Sequence, residues 1–456
     1  MATKTKTVFF CNNCGHESPK WLGKCPGCGE WNTFVEEKVV TGKGGKSKSK
    51  TAETSKPVKL SDIEEGKETR IKMPSGELNR VLGGGLVTGS LVLLGGEPGV
   101  GKSTLLLQNI LSMRNRKILY ISGEESASQL KMRADRLGKI SEDTFILCET
   151  DLDNIFAQIE NIKPDILVVD SVQTVASPAL ESAAGSVSQV RECAAALLRY
   201  AKTSNVPVIL VGHINKDGAI AGPKVLEHIV DTVLQFEGDS KYLFRILRSI
   251  KNRFGSTSEI GIYEMVQKGL KEVSNPSQVL LSDSFEEDMS GVAIGVTTEG
   301  VRPFLVEIQA LVSSAAYGTP QRSVTGFDKR RLNMLLAVLE KRAKFRLAQK
   351  DVFLNIAGGL KLTDPALDLA VAAAVMSSNF DLPIPRDTSF IGEIGLSGEV
   401  RPVTRIENRI AEASKMGMSR IFVPKGNLKG ITTKFDSEVI EVGRVEACFR
   451  LMAQKS

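Results

Sequence analysis

Hydrophobic residues in the middle of the chain form short uninterrupted runs, separated by longer stretches in which apolar positions recur with helical spacing. A run without polar interruptions is typical of a strand that is buried on both faces. The predicted strands cover residues 91–94, 117–121, 166–169 and 208–211, and the helices between them include 103–113, 125–137 and 187–203. This order predicts an α/β fold whose mainly parallel sheet is covered by helices on both sides.

The pattern changes beyond about residue 272, where strand-like segments come first and helices follow. Residues 292–296 and 304–308 have strand character, and helices are expected near 328–343, 364–378 and 405–416. A chain of 456 residues also exceeds what one hydrophobic core usually organises. We therefore expect a core domain over residues 59–272 and an α+β domain over residues 273–456.

The N-terminal part is expected to contain a compact unit, residues 1–35, followed by a polar segment, residues 36–58. The polar segment is rich in Lys, Gly, Ser and Thr and has no aromatic residue, so it cannot bury enough apolar surface to order itself. We interpret it as a flexible linker. Its lysines either attract nucleic acid weakly or only keep the tether solvated.

The composition, 42% hydrophobic and 25% charged, is typical of a soluble globular protein. The chain lacks an apolar run long enough to span a bilayer, and its first residues lack the apolar region of a secretory signal. We therefore expect a cytoplasmic protein without a membrane partner. The net charge of +6 permits a polyanionic partner but does not require one.

Four of the seven cysteines form two matching pairs, Cys11-x-x-Cys14 and Cys25-x-x-Cys28. Each Cys-x-x-Cys turn directs two thiolates at one point, and two such turns complete a tetrahedral Zn²⁺ site. The alternatives are chance free thiols and a redox pair, for which one Cys-x-x-Cys would suffice. Because four cysteines fill the coordination shell, the predicted zinc site is structural and not catalytic.

A complete phosphate-binding loop follows the first predicted strand of the core and precedes a helix, which is the context this motif requires. It comprises Gly96, Glu97, Pro98, Gly99, Val100, Gly101, Lys102, Ser103 and Thr104. The glycines let backbone N–H groups close on phosphate oxygens, and the helix N-terminus favours negative charge. Lys102 is expected to reach the β- and γ-phosphates of ATP, and the Ser103 hydroxyl to bind Mg²⁺.

An acidic residue, Asp170, ends the predicted strand 166–169. A carboxylate at this place near a phosphate-binding loop can hold Mg²⁺, directly or through water. A strand-ending Asp is otherwise common and often only caps a helix. The loop at 96–104 favours the Mg²⁺ interpretation.

Four features together resemble the RadA (Sms) family of bacterial DNA-repair and recombination proteins, over nearly the whole chain. They are the four-cysteine ribbon, the stretch 75–86 before the phosphate-binding loop, the motif Lys251-Asn252-Arg253-Phe254-Gly255, and a C-terminal domain that resembles Lon protease in the stretches 360–370 and 391–403. The Lys-Asn-Arg-Phe-Gly motif is distinctive for that family, whereas the loop region also resembles KaiC-like ATPases.

The resemblance implies a RecA-like core that is similar to the hexameric DnaB motor. Glu124, after the second predicted strand, then matches the catalytic glutamate better than Glu125, which otherwise reads as a helix N-terminal residue. Lys251 and Arg253 are implied to reach the ATP of a neighbouring subunit, unless they form a solvated basic turn. His213 matches a residue that senses the γ-phosphate, unless it is a hydrogen-bonded strand-end histidine.

The resemblance also implies that two loops, residues 177–186 and 215–224, contact DNA. Lys216 and Lys224 are the candidate phosphate contacts, and neither loop has an aromatic residue for base stacking. We therefore expect contacts that depend little on base sequence.

The Lon-like domain lacks the residues that protease chemistry needs, a hydroxyl nucleophile and a lysine of lowered pKa. Ala366 stands at the nucleophile position, and the sequence around the lysine position reads Arg405-Ile406-Glu407-Asn408-Arg409. A guanidinium does not deprotonate in proteins, so we expect no proteolysis.

We therefore expect an ATP hydrolase that acts as a homohexameric DNA motor or helicase on single-stranded and branched DNA, and that promotes branch migration together with RecA recombinase. Two alternatives are an ATP-dependent protease and a KaiC-like signalling ATPase that does not bind DNA. DNA-stimulated ATP turnover would distinguish the second alternative from the motor.

Overall fold

The computed structural model describes residues 5–11, 15–40, 59, 69–138, 140–213, 225–238, 244–281, 289–315 and 319–453. The chain packs as two compact units, one formed by Met1–Ser240 with Arg245–Glu272 and the other by Lys241–Phe244 with Val273–Ser456. Within the described residues, each helix is too short or too polar to cross a membrane.

The N-terminal ribbon is an antiparallel sheet in the order β2-β1-β3, formed by β1 (Thr5–Cys11), β2 (Glu17–Ser18) and β3 (Phe34–Val40). Strand β3 continues into the segment that was predicted to be a linker, because residues 36–40 pair with β1. The remainder of that segment, residues 41–58, lies outside the described residues, and so does Cys14.

The core contains a nine-stranded sheet in the order β14-β13-β12-β11-β6-β10-β9-β7-β8. The strands of this part of the chain are β4 (Arg70–Ile71), β5 (Leu86–Val87), β6 (Leu91–Gly96), β7 (Ile118–Ser122), β8 (Thr144–Cys148), β9 (Ile166–Asp170), β10 (Val208–His213), β11 (Thr232–Glu237), β12 (Phe244–Asn252), β13 (Ile260–Val266) and β14 (Gly269–Glu272). The helices are α1 (Gly76–Leu82), α2 (Lys102–Leu111), α3 (Ala127–Leu137), α4 (Leu152–Ile162), α5 (Val187–Ser204) and α6 (Val225–Ile229).

The central strands are buried on both faces, as their uninterrupted apolar runs predict. In β6, Val92 and Leu94 pack into a cluster that includes apolar residues of α2, whereas Leu91 and Leu93 pack on the other face with residues of α4 and α5. Strands β11, β6, β10, β9, β7 and β8 are parallel where they pair. The α/β fold class is therefore confirmed.

One side of the core sheet is antiparallel and was not predicted. Strand β12 pairs with β11 in the antiparallel direction, and β13 pairs likewise with β14. Charged residues such as Arg245 and Arg248 interrupt the apolar pattern of β12, so it lacks the signature of a buried strand. Lys251 lies near the end of β12 in this antiparallel part of the sheet and pairs with Val233 near the start of β11.

The second unit is built on a seven-stranded sheet in the order β17-β18-β16-β15-β19-β22-β23. Its strands are β15 (Val292–Glu299), β16 (Arg302–Ser314), β17 (Arg322–Thr325), β18 (Lys350–Ile356), β19 (Thr388–Phe390), β20 (Glu393–Ile394), β21 (Val400–Arg401), β22 (Arg420–Pro424) and β23 (Glu438–Val442). Its helices are α7 (Pro276–Leu280), α8 (Lys329–Lys341), α9 (Asp368–Phe380), α10 (Ile406–Lys415) and α11 (Val445–Ala453).

The helix predicted at 364–378 is two elements in the structure. A 3₁₀ turn, Pro365–Leu367, comes first, and α9 begins at Asp368. Asp364 ends the preceding segment, and its carboxylate accepts a hydrogen bond from the N–H of Ala366. Ala366 therefore lies in a capped turn at the start of a buried helix.

Candidate ATPase site and metal centre

The phosphate-binding loop connects β6 with α2 at the carboxyl edge of the sheet. A side chain at Gly96 would place its Cβ 2.5 Å from the carbonyl oxygen of Phe236, so glycine is required at this point. Gly99 and Gly101 have φ angles of 78° and 111°, which side chains rarely adopt. The loop therefore has the tight backbone that a phosphate cradle needs, and its residues fit ATP.

The Lys102 ammonium is buried beneath this loop. It donates hydrogen bonds to the carbonyl oxygens of Gly96 and Glu97, at 2.8 and 3.0 Å, and lies 3.3 Å from Nδ1 of His213. Burial lowers the pKa of Lys102, and the negative charges of Asp170 and Glu124 oppose that shift. No carboxylate within the described part of the chain bonds directly to this ammonium.

His213 joins the lysine to the candidate catalytic carboxylate. Its other ring nitrogen, Nε2, lies 3.2 Å from Oε1 of Glu124. Because an ammonium can only donate, Nδ1 is the acceptor and we assign the ring proton to Nε2, which then donates to Glu124. Three residues that were predicted separately therefore form one hydrogen-bonded chain.

Glu124 is held from two directions at the edge of the site. Its Oε1 accepts hydrogen bonds from the Ser171 hydroxyl at 2.7 Å and from His213, while 48% of the side chain stays exposed. Burial alone would raise the pKa of Glu124, but these hydrogen bonds and the charge of Lys102 lower it overall. A carboxylate that stays ionised, fixed and accessible can orient a water molecule.

Glu125 has different contacts from Glu124. Its carboxylate forms an ion pair with Arg133 at 2.6 Å, and its N–H donates to the Ser122 hydroxyl before α3. Helix α3 begins at Ala127, with Ser126 as its N-cap. Glu125 thus anchors the start of a helix, whereas Glu124 faces Lys102 and His213.

Asp170 ends β9, beside the end of β7, and receives a hydrogen bond from the buried Tyr120 hydroxyl. Burial and the adjacent Asp170 charge raise the pKa of Tyr120 well above its usual value, so the phenol stays a donor. Ser103 is half-buried in the first turn of α2. A hydroxyl and a carboxylate are the oxygen donors that Mg²⁺ prefers, so these residues fit that ion.

Lys251 and Arg253 lie at the opposite edge of the same sheet, where the parallel strands β6 and β11 begin. The end of β12 pairs with the start of β11, and β11 runs parallel to β6, whose last residue is Gly96. Strand β6 rises about 3.3 Å per residue, so its ends are roughly 16 Å apart. Within one chain these cations therefore lie away from its own phosphate-binding loop.

A buried carboxylate, Asp231, organises this opposite edge. It bonds to the N–H of Leu91 at 3.0 Å, to Lys202 at 2.8 Å and to Arg253 at 3.3 Å. Lys251 instead donates to the carbonyl oxygens of Glu227 and Val230, at 2.6 and 2.8 Å. Asp231 was not predicted from the sequence, although an acidic residue just before a buried strand is a signal that could have been followed.

The sulfur atoms of Cys11, Cys25 and Cys28 lie within 4.8 Å of one another, and those of Cys11 and Cys28 are 3.7 Å apart. Zn–S bonds of about 2.3 Å in a tetrahedron place sulfurs about 3.8 Å apart, so this donor set fits Zn²⁺. Cys14, the fourth predicted ligand, lies outside the described residues.

Of the two predicted DNA loops, the structure describes 177–186 but not 215–224. Residues 214–224, with Lys216 and Lys224, lie outside the described residues. The loop 177–186 is held by the buried amide of Gln189, which bonds to the backbone of Ser177, Leu180 and Ser182. This loop contains no Lys or Arg, so a phosphate contact there would use backbone N–H groups or hydroxyls.

Asp364, in the first Lon-like stretch, belongs to a buried polar cluster around Arg409 in the second unit. The Arg409 guanidinium is 1% exposed and bonds to Asp364 at 2.7 Å, to the Val296 carbonyl at 2.8 Å and to the Thr298 hydroxyl at 2.7 Å. Although burial raises the pKa of Asp364, the bonds to Arg409 lower it overall. Arg409 has the role of a structural cation here.

Comparison with known protein families gives three matches along the chain. Residues 9–36 match a rubredoxin metal binding domain, residues 54–219 an AAA domain, and residues 308–427 the subunit ChlI of Mg-chelatase. Among solved structures, a KaiC-like protein of Pyrococcus horikoshii aligns with 22% identity over 45% of this chain and 99% of its own, at a TM-score of 0.38.

The chain is similar over its whole length to proteins named DNA repair protein RadA. The Bacillus subtilis protein is 51% identical over 452 residues, which covers 98% of each chain. The Streptococcus pyogenes serotype M1 protein is 50% identical over 97% of this chain and 98% of its own, and the Listeria monocytogenes protein is 50% identical over 96% of each. The ribbon, the P-loop core and the C-terminal domain thus occur together in proteins that share half of their residues with this one, and the chain belongs to the RadA family of DNA repair proteins.

Proposed function

We propose that this protein is an ATP-driven motor that acts on single-stranded and branched DNA in repair and recombination. The observation that carries the proposal is the chain of contacts from Lys102 through His213 to Glu124, at the mouth of a phosphate-binding loop. This network joins a phosphate-binding cation to a water-orienting carboxylate, which an ATP hydrolase needs.

Residues Gly96–Thr104 would hold the phosphates of ATP, and Ser103 and Asp170 would hold Mg²⁺. Bound Mg²⁺ offsets the charge that develops on the phosphoryl oxygens. Glu124 orients the attacking water, and Ser171 together with His213 keeps its carboxylate in place. A γ-phosphate near Lys102 would compete with the loop carbonyls for the ammonium, so His213 would register whether ATP is present.

Lys251 and Arg253 would act on the ATP of the next subunit. Two observations support a role in trans: both cations lie at the sheet edge opposite their own loop, and 56% of the Arg253 side chain is exposed. Head-to-tail packing that brings one edge to the other subunit's loop generates a ring where the rotation closes, and the family resemblance implies a ring of six subunits. Hydrolysis at each interface would then be coupled to movement of the ring.

The DNA contacts and the RecA partnership are proposed from the family resemblance. Lys216 and Lys224 would meet backbone phosphates, with the loop 177–186 beside them. We propose the division into ribbon, linker, ATPase core and C-terminal platform that the sequence predicts, with the ribbon extended to Val40. A protease is disfavoured, because Ala366 has no hydroxyl and the Arg409 guanidinium is buried and paired with Asp364.

Strand separation on a forked DNA, with and without ATP, tests this proposal. We expect ATP-dependent unwinding or branch extension, ATP turnover that rises with single-stranded DNA, and an affinity for DNA that falls as salt increases, since phosphate contacts release counterions. ATP turnover that ignores DNA, together with no binding to any DNA at low salt, would instead favour a signalling ATPase.

A further inference from the structure

The chain has two tryptophans, and both lie on the surface of the N-terminal ribbon. Trp21 is 51% exposed and Trp31 is 67% exposed. Tryptophan is usually well buried, and exposed aromatic surface commonly marks a binding site. The buried centre of the ribbon is formed by Cys11, Cys25 and Phe34, so neither indole is needed to fill it.

Both indoles lie close to Gly23. A Cβ built on this glycine would lie 3.7 Å from two ring atoms of Trp21 and 3.8 Å from a ring atom of Trp31. Ring atoms of both tryptophans therefore lie within 4 Å of one point beside Gly23, and glycine leaves that point free of a side chain. Together, Trp21 and Trp31 form what we call the indole platform.

The backbone beneath the platform is well braced. The N–H of Asn32 donates to the Gly23 carbonyl at 2.8 Å, Lys24 and Trp31 form an antiparallel bridge, and the N–H of Cys25 donates to Glu30 at 2.8 Å. These bonds close the hairpin that carries the second cysteine pair. A platform on a braced hairpin loses little entropy when a ligand binds.

Positive charge accompanies the exposed rings. The Lys24 ammonium lies 5.6 Å from the centre of the Trp31 ring, and Lys20 is exposed next to Trp21. Among the described residues, neither lysine has a carboxylate partner. Flat aromatic faces beside unneutralised ammonium groups suit a ligand that has both aromatic rings and negative charge.

We propose that the indole platform binds unstacked bases of single-stranded DNA, while Lys20 and Lys24 meet the adjoining phosphates. Stacking on aromatic side chains is tolerant of base sequence, because every base has a π face. The inference rests on the proposed function, since this strand is the DNA on which the motor would act. It adds a base contact to a protein whose predicted core loops have no aromatic residue.

The two indoles allow a direct measurement, because the intrinsic tryptophan fluorescence of the full-length protein comes from the platform alone. We would titrate the protein with an oligothymidylate and follow this fluorescence together with the anisotropy of a labelled strand. Inorganic polyphosphate is the matched polyanion without bases. We expect saturable quenching by the oligothymidylate at the concentrations that raise the anisotropy, and no quenching by polyphosphate.

Variants then assign the effect to the rings. Trp21→Leu and Trp31→Leu should each weaken binding of the strand by about tenfold, whereas Trp31→Phe should retain most of the affinity. Zinc content and ATP turnover without DNA, measured for each variant, should match the parent protein and show that the ribbon and the core are intact.

Equal quenching by polyphosphate, or unchanged affinity in both leucine variants, would overturn the proposal. DNA-stimulated ATP turnover without any quenching would overturn the platform while leaving the motor standing. A fluorescence change that only a protein partner produces would also overturn it, because the platform would then be a protein-binding surface. If the parent protein binds no DNA at low salt, both the platform and the proposed function are refuted.

Discussion

The two edges of the core sheet carry opposite charge arrangements. At the phosphate-binding edge the cation, Lys102, is buried, and the carboxylate, Glu124, is 48% exposed. At the opposite edge the carboxylate, Asp231, is 3% exposed, and the cation, Arg253, is 56% exposed. One edge therefore presents a negative group and a phosphate cradle to solvent, and the other presents positive groups.

Within the described residues, which leave out the segment 214–224 after His213, neither edge has all the groups of a phosphoryl-transfer site. Such a site needs cations on the outer side of the γ-phosphate as well as the loop beneath it. We propose that the cations which complete it come from a neighbouring subunit. In its own chain Arg253 is held by Asp231 at the start of β6, roughly 16 Å along that strand from the loop. In the proposed head-to-tail ring, each subunit would supply these cations to the loop of the next subunit.

Lys102→Ala should break the phosphate-binding edge, with the largest effect of the set. The ammonium is held beneath the loop by the carbonyl oxygens of Gly96 and Glu97, where it would meet the phosphates, so ATP turnover should fall by at least about a thousandfold. Turnover is measured by phosphate release. Lys131→Ala, which removes an exposed lysine paired with Asp135, is the matched control and should hydrolyse ATP normally. Normal turnover in Lys102→Ala would refute the assignment of the loop.

Arg253→Ala should break the opposite edge and reduce turnover by about a thousandfold, as the loss of an arginine finger does. Mixing these subunits with Lys102→Ala subunits should restore part of the activity, because some interfaces then join an intact loop with an intact arginine. Arg248→Ala, in β12 and paired with Glu237, serves as the control. If no mixing ratio restores turnover, the two edges do not act across an interface.

Asp231→Asn should sharpen the comparison, because it removes the negative charge that positions Arg253 and Lys202 but keeps both side chains. The amide can still accept from the Leu91 N–H but no longer attracts Arg253 and Lys202. We expect turnover to fall by about tenfold, less than in Arg253→Ala, since the arginine is misplaced and not removed. Turnover as low as in Arg253→Ala, in a protein that is folded by circular dichroism, would contradict a positioning role.

Tyr120→Phe should have the smallest effect. It removes the hydrogen bond to Asp170, and the Mg²⁺ concentration for half-maximal turnover should rise by about fivefold, as expected for about 1 kcal/mol. Tyr263→Phe is the matched control, because that buried hydroxyl bonds to Ser75 elsewhere in the core. The free energy of unfolding of Tyr263→Phe should fall about as much as that of Tyr120→Phe, but its Mg²⁺ requirement should be unchanged. An equal Mg²⁺ shift in both variants would show a general loss of stability.

Much of the core could be predicted because its signals are local. The apolar runs at 91–94, 166–169 and 208–211 mark strands buried on both faces, and the structure extends each by two residues or fewer. The antiparallel ribbon β12–β14 has mixed polarity, since its burial depends on which neighbours it meets. Periodicity alone cannot reveal that.

The partners of the candidate site could not be predicted for a similar reason. Ser171 follows Asp170 directly, and Tyr120 is the one aromatic residue in the run 117–121, yet neither fact shows where the hydroxyl points. The parallel register of β7 and β9 places Ser122 beside Asp170 and brings the two strand ends together. Contacts between distant segments follow from that register.

The sequence by itself determined the α/β class, the phosphate-binding loop and the cysteine pairs, because each depends on residue types at short fixed spacings. Only the tertiary structure decided that Lys102, His213 and Glu124 form one network, that Asp231 binds Lys202 and Arg253 at the far edge, and that both tryptophans lie close to Gly23. These arrangements join residues that lie far apart along the chain or across a hairpin. Their distances are set by strand order and packing, which no local pattern encodes.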